Sequence, residues 1–198
     1  MSGRAGVCSP RGRIFERRRL WRLERPTFHA AARLLAQAVV EPAGGGDGGV
    51  DLVVGVARGG QALAEALAVS LGVGVCMIGA RHNLTDARYL QASGHVEVDL
   101  SPLAAGAVAG ARCLVADDIC GTGATLQAVT HQLERRWAAQ VRTCTLCRND
   151  GAGGRPLPDW WVWDVRDWVA FPWEPPPSPH APTVALPTPT RVRTCRRW

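Results

Sequence analysis

Short, almost wholly apolar runs that alternate with Ala/Leu-rich stretches are the feature that most constrains this chain. Asp51 to Ala57 (DLVVGVA) is Val-rich on every second residue and on those between, so it reads as a strand covered on both faces rather than one with a wet side. Gln61 to Leu71 then has helical composition, Val73 to Ile78 is a second short strand, and Arg112 to Ala116 a third. Thr125 to Trp137 reads as a helix and Val141 to Cys147 as a fourth strand. Upstream, Thr27 to Val40 (TFHAAARLLAQAVV) opens at a Thr cap behind Pro26, reads as a helix, and is broken by the Gly-rich run 44–49. Strands separated by helices pair in parallel through right-handed crossovers, which predicts an α/β sandwich with ligands at the carboxyl ends of its strands.

Charge and composition sharpen the outline. The chain has 198 residues and a formal net charge of +6, and all 23 basic residues are Arg. That charge is uneven: residues 1–25 carry a net +6, residues 175–198 a net +4, and residues 26–174 a net −4. A surface that tracks phosphate backbones would put its excess on the folded face, so nucleic acid is not the expected partner. The expected organisation is an Arg-rich, disordered arm over 1–25, one folded domain over 26–174, and a Pro/Arg-rich, disordered tail over 175–198. On that reading, removing both ends leaves function intact. No apolar run reaches the ~20 residues of a membrane span, and no apolar segment follows the N-terminal arginines as in a signal peptide, so the expected place is the cytoplasm. The seven Cys are odd in number and sit mostly in apolar runs, as buried thiols do; Cys144 and Cys147 form a CxxC that lacks a second pair or a His to complete a zinc set.

Chemistry concentrates in Cys113 to Thr125, CLVADDICGTGAT. A strand runs into the adjacent acids Asp117 and Asp118, and a turn of small residues, Gly121, Thr122, Gly123, Ala124 and Thr125, opens a helix. Small residues let backbone amides approach an anion, the helix N-terminus adds partial positive charge, and Thr hydroxyls donate to phosphate oxygens. The loop lacks the Lys and spacing of a Walker motif. Two acids before an anion cradle suit a sugar diol, a divalent metal, or both. The first strand ends in Arg58-Gly59-Gly60, a second place where amides and a guanidinium can meet a phosphate.

In order and in type, these residues resemble the type I phosphoribosyltransferases, closest to the xanthine-guanine/hypoxanthine (6-oxopurine) branch. The resemblance covers about residues 27–174. It implies a parallel-sheet, Rossmann-like core with a small base-binding hood. It also implies a glycosyltransferase that moves the 5-phosphoribosyl group of phosphoribosyl pyrophosphate (PRPP) to a nitrogen of a purine-like base, with Mg²⁺, in nucleotide salvage. Asp117 and Asp118 would then hold the ribose hydroxyls and, directly or through water, the metal. Gly121 to Thr125 would hold the 5′-phosphate, and Arg58, Gly59 and Gly60 the pyrophosphate. Residues 80–99, with Arg81, His82, Arg88 and Tyr89, fall where the family carries a mobile loop, and a homodimer is a common family state.

The Trp-rich end completes the resemblance. Five of eight Trp fall between 160 and 173. Alternation with Val162 suits strand packing for Trp160, Trp161 and Trp163, whereas Asp167-Trp168-Val169 resembles the base-binding segment, with Trp168 stacking on the base and the Val169 backbone at its edge. Two positions depart from the 6-oxopurine pattern. Gly121 stands where a carboxylate usually handles the N7 proton, and Arg148 where a Lys usually meets O6. Two other readings therefore stay open: transfer to a non-purine acceptor in specialised metabolism, and a non-catalytic PRPP-binding regulator.

Overall fold

The computed structural model describes residues 18–41, 49–81, 96–104, 106–152, 157–178 and 180–195. In chain order the elements are β1 (Leu20–Arg22), α1 (Arg25–Val40), β2 (Leu52–Ala57), α2 (Gln61–Leu71), β3 (Gly74–Arg81), β4 (Glu97–Asp99) and β5 (Arg112–Cys120). They continue with α3 (Ala124–Glu134), β6 (Gln140–Asn149), β7 (Trp160–Val165), β8 (Trp168–Ala170), β9 (Thr183–Ala185) and β10 (Arg193–Thr194). Seven strands form one sheet in the order β10-β7-β6-β5-β2-β3-β4, parallel from β7 to β3 and antiparallel at both edges.

The central strands are continuous apolar runs because both faces are covered. Val53, Leu114 and Leu146 point to a core shared with α1 and α2, while Val54, Val56, Val115 and Ile78 point to the other, closed by Leu126, Val129 and Leu133 of α3. α1 starts at Arg25, two residues before the expected Thr27. Pro26 therefore lies in the first turn, where its missing N–H has no partner to lose. α3 ends at Glu134 rather than at Trp137. Trp137 adopts a left-handed φ of 67° and is 81% exposed, and its carbonyl accepts the Gly110 N–H at 2.8 Å.

Several expectations are corrected. β5 continues past Ala116 through both acids to Cys120, because β6 pairs with it as far as Cys120–Arg148 although β2 pairs only to Ala116. In the segment expected to be a mobile loop, Ala80 and Arg81 belong to β3 and Glu97–Asp99 form β4, paired with Gly79–Arg81. His82, Arg88 and Tyr89 lie outside the described residues.

The described parts of both expected tails are built into the fold. β1 lies between β8 and β9 in a second, three-stranded parallel sheet, with Leu20 level with both Trp168 and Thr183. Beyond it Leu186 is buried, Pro187 accepts the Trp163 indole N–H at 3.1 Å, and β10 pairs with β7. Proline cannot donate to a ladder but leaves its carbonyl free, and the intervening residues Thr183–Ala185 and Arg193–Thr194 supply the donors. Strands from both flanks therefore join the fold, so the described part of residues 175–198 is ordered rather than a disordered tail; residues 1–17 lie outside the described part.

The six described cysteines are free, and Cys113, Cys120, Cys144 and Cys147 are buried. Burial, and secondarily the Asp51 carboxylate, pushes the Cys113 thiol up to about 11; full enclosure drives Cys144 further up, with Asp159 and Asp117 adding to it. Unfolded thiols ionise near 8.5, so above that pH the unfolded chain releases protons that the native one retains. With no Lys and one Tyr in the chain, little else titrates there. From neutral pH to about 8.5 these thiols leave stability unchanged, and it is expected to fall progressively from there toward pH 11. Thermal melts across that range check this, and Cys113→Ala with Cys144→Ala should flatten the decline; an unchanged slope would contradict it.

Candidate active site

The chain reverses direction across the sheet between β2 and β5: from β2 it moves outward to β3, and from β5 the opposite way to β6. α2 and α3 consequently leave on opposite faces, opening a crevice at the carboxyl ends of those two strands, the place where α/β sheets bind ligands. Both sequence motifs meet there.

The first is the turn Arg58-Gly59-Gly60, which follows β2 through a cis Ala57–Arg58 peptide and opens α2. The Gly60 N–H donates to the Val56 carbonyl at 2.8 Å. This turn is pressed against β5. A Cβ on Gly60 would lie 2.8 Å from the Asp117 Cα and 2.9 Å from the Val56 oxygen, and closer still to the Ala116 oxygen; a Cβ on Gly59 would lie 2.6 Å from the Asp118 Cγ. Glycine is needed at both positions because another backbone or a carboxylate occupies the space. Arg58 is exposed at the rim.

The second begins with Asp117 and Asp118, both half-buried at the end of β5. Oδ1 of Asp117 accepts the Asp118 N–H at 2.9 Å, which orients the first carboxylate along the strand. Gly121 and Thr122 make the turn, Gly123 adopts φ 83° as the residue preceding α3, and Ala124 and Thr125 form the first turn of the helix. Those first N–H groups have no acceptor within the helix, apart from a 3.4 Å contact from the Ala124 N–H to the Thr122 Oγ1. The result is an anion-accepting helix start beside two carboxylates, with the glycine turn facing it.

Arg148 enters from the third side. β6 brings it level with Cys120, the residue just before Gly121, and β7 brings Asp164 level with Arg148. Its guanidinium lies 4.5 Å over the Trp161 ring, and its Nε and Nη2 both donate to Asp164 Oδ1 at 2.7 Å. The sequence reading did not include Asp164, which no spacing singles out. Trp160, Trp161 and Trp163 are buried as expected for strand packing. Trp168 and Val169 stand apart from them in the hood strand β8, Trp168 half-buried and Val169 buried. Oδ2 of the buried Asp167 accepts the N–H groups of Arg18 and Arg19 at 3.1 and 3.2 Å, fixing β1 against β8. The structure thus unites Arg58, Gly59, Gly60, Asp117, Asp118 and the 121–125 loop at one crevice, with Arg148 on its flank and Trp168 and Val169 in a separate sheet.

Comparison with known proteins addresses the family and the fold. The sequence profile of the phosphoribosyl transferase domain matches residues 23–180. The chain belongs to the phosphoribosyl transferase family. Over 117 residues it is 32% identical to an adenine phosphoribosyltransferase of Geobacter metallireducens, an alignment spanning 56% of this chain and 66% of that protein. The fold is similar to that of a purine phosphoribosyltransferase from Pyrococcus horikoshii, with a TM-score of 0.65, 23% identity and coverage of 80% of this chain and 96% of that one. It is likewise similar to a Helicobacter pylori xanthine-guanine-hypoxanthine phosphoribosyltransferase, with a TM-score of 0.61, 19% identity and coverage of 78% and 91%. The expected family and its mostly parallel α/β fold are both borne out. No helix among the described residues is long and apolar enough to cross a membrane.

The two glycines should respond differently to substitution. Gly60→Ala pushes against backbone on both sides and is expected to destabilise the chain by roughly 1–3 kcal/mol, whereas Gly59→Ala meets a carboxylate that can rotate and should destabilise it less. Thermal or denaturant unfolding of the two variants checks this; a larger loss for Gly59→Ala would contradict the packing described.

Proposed function

We propose that this protein transfers the 5-phosphoribosyl group of PRPP to a ring nitrogen of a purine-like base and releases pyrophosphate, acting in nucleotide salvage in the cytoplasm. The observation that carries the reading is the contact of the Arg58-Gly59-Gly60 turn with the Asp117/Asp118 end of β5, at the switch point of the sheet. A pyrophosphoryl ribose needs an anion site, a diol site and a second anion site within one small molecule's length. The turn, the acids and the helix start supply these in that order. Free thiols at all six described cysteines suit a reducing compartment.

Asp117 and Asp118 accept hydrogen bonds from the ribose hydroxyls and hold C1 in line between the leaving oxygen and the incoming nitrogen. The amides at the start of α3 and the hydroxyls of Thr122 and Thr125 take the 5′-phosphate. As the bond at C1 lengthens, negative charge grows on the pyrophosphate beside Arg58 and the backbone of Gly59 and Gly60. That charge would also approach the Asp118 carboxylate, so the site calls for a cation. Two half-buried carboxylates fit Mg²⁺, a hard ion that prefers oxygen; among the described residues no set of three or more His, Cys, Asp or Glu converges, so substrate oxygens and water would complete its shell. When bound, the ion supplies neutralisation of the departing pyrophosphate.

On the acceptor side, Trp168 stacks on the base, with the Val169 backbone at its edge and Arg148 as a donor to a ring carbonyl. Gly121 provides no side chain to take the base's proton. That observation favours a second reading, an acceptor that needs no carboxylate there, whether a different heterocycle or a base already deprotonated.

Pyrophosphate release measured with PRPP, Mg²⁺ and a panel of bases decides among the readings. Release dependent on guanine, hypoxanthine, xanthine or adenine is the expected outcome. Release only with another nitrogen heterocycle would favour the second reading, and PRPP binding without turnover on any base would make the chain a sensor. Asp117→Asn with Asp118→Asn is expected to lower kcat/KM by at least about 10²-fold while the unfolding curve is retained; near-normal kinetics would remove the ribose role. Trp168→Ala should raise the KM of the base far more than that of PRPP, and equal changes would refute the stacking assignment.

A further inference from the structure

Residues 181–195 lie beyond the range of the family match, yet they are stitched to both sheets. After β9 the Leu186 N–H donates to the Arg22 carbonyl at 2.9 Å, and after β10 the Cys195 N–H donates to the Asp159 carbonyl at 3.1 Å. This strap delivers Arg193 to the carboxylate that holds Arg148. Asp164 Oδ2 accepts from Arg193 Nε at 3.0 Å, while Oδ1 takes Arg148 at 2.7 Å and the Trp161 indole N–H at 2.9 Å. Arg193 Nη1 also donates to the Val162 carbonyl, so its own guanidinium is fixed on two sides.

The consequence concerns how Arg148 is held. A carboxylate with both oxygens available pairs with a guanidinium fork to fork. Here Arg193 occupies one oxygen, and Arg148 is left to bind the other through its Nε and Nη2 edge with its face on Trp161. The Nη1 corner is the part of Arg148 not committed to Asp164. Arg148 itself stands level with the residue before Gly121, on the side of the crevice where the acceptor's polar edge would lie.

We propose that Arg193 is a positioning residue for acceptor selectivity: by holding Asp164 Oδ2 it keeps Arg148 gripped by one edge and turned to donate to a carbonyl-bearing base. The inference rests on the transfer reading above and adds to it a residue from outside the family range. Without Arg193, Asp164 Oδ2 loses its competing cation and can turn onto Arg148 while Oδ1 keeps the Trp161 indole N–H, which draws the Arg148 donors away from the base. A base with a ring carbonyl loses more than one carrying an amino group in its place, because Arg148 has donors only.

The test compares unmodified chain, Arg193→Ala and Arg193→Lys in base-dependent pyrophosphate release, with separate KM values for hypoxanthine, adenine and PRPP and an unfolding curve for each. Arg193→Ala is expected to raise the hypoxanthine KM about five- to tenfold, the effect of one partly exposed ion pair and its orienting contact. The PRPP KM and the adenine KM should change less than about twofold on the same scale. Arg193→Lys, which keeps a cation at Asp164, should recover most of the loss. If the KM values for PRPP and for both bases rise together with a lowered unfolding midpoint, the strap is a brace and the proposal is overturned. An unchanged hypoxanthine KM in Arg193→Ala overturns it too, with the transfer reading intact. No base-dependent release from the unmodified chain overturns the transfer reading and this proposal together.

Discussion

The carboxyl ends of β2 and β5 touch through two glycines that have no room for a side chain, and the remaining site geometry follows from that approach. With Gly60 seated on the Ala116–Asp117 backbone and Gly59 against the Asp118 carboxylate, an anion-binding turn and a pair of acids sit within one crevice. The same contact explains why β5 loses β2 as a neighbour after Ala116 and gains the turn instead, leaving Asp117 and Asp118 half-exposed at the end of a strand that is otherwise buried. Juxtaposing an anion site with two carboxylates is unfavourable unless a cation joins them, which is the electrostatic ground of the proposed Mg²⁺.

The hood depends on a different kind of constraint. Its strands β1, β8 and β9 are three residues each and come from widely separated parts of the chain. A sheet of such short strands has little stability alone. Within it, Asp167 accepts the Arg18 and Arg19 amides and the Leu23 N–H donates to Ala170, and it is anchored to the main body where Phe28 of α1 meets the edge of Trp173, itself stacked on the Phe171 ring. Trp168 therefore rides on a small element whose position is set by α1 and the chain's two ends. On the proposed reading, the donor and acceptor halves of the crevice thus rest on separate foundations, the donor half on the central sheet and the acceptor half on the hood and strap.

Much of the fold was legible because local rules dominated there. The four central strands and α2 are recognisable from runs that tolerate burial on both faces, and the anion turn from its small residues and the helix that follows. The meeting of Arg58-Gly59-Gly60 with Asp117 to Thr125 was anticipated too, since both are contiguous motifs at the carboxyl ends of neighbouring strands. The acceptor side was less so. Arg148 stood out only by its position after a strand, and nothing in the spacing of Asp164 and Arg193, 29 residues apart, announces that Arg193 pairs with the carboxylate that also holds Arg148. The proline-rich end misled for a physical reason: proline lowers the capacity to donate but does not prevent a few intervening residues from completing a sheet edge.

By itself, then, the sequence determined the alternating strands and helices, the parallel sheet they require, and the two motifs able to bind anions, because each depends on residues close together in the chain. Only the tertiary structure decided that the two motifs meet at the β2–β5 switch point with no space for a Cβ, that Leu20–Arg22 and Thr183–Ala185 join the hood, and that Asp164 is shared between Arg148 and Arg193. Those are contacts between segments far apart in the chain, and their geometry is set by packing of the sheet and its cores rather than by any local preference of the backbone.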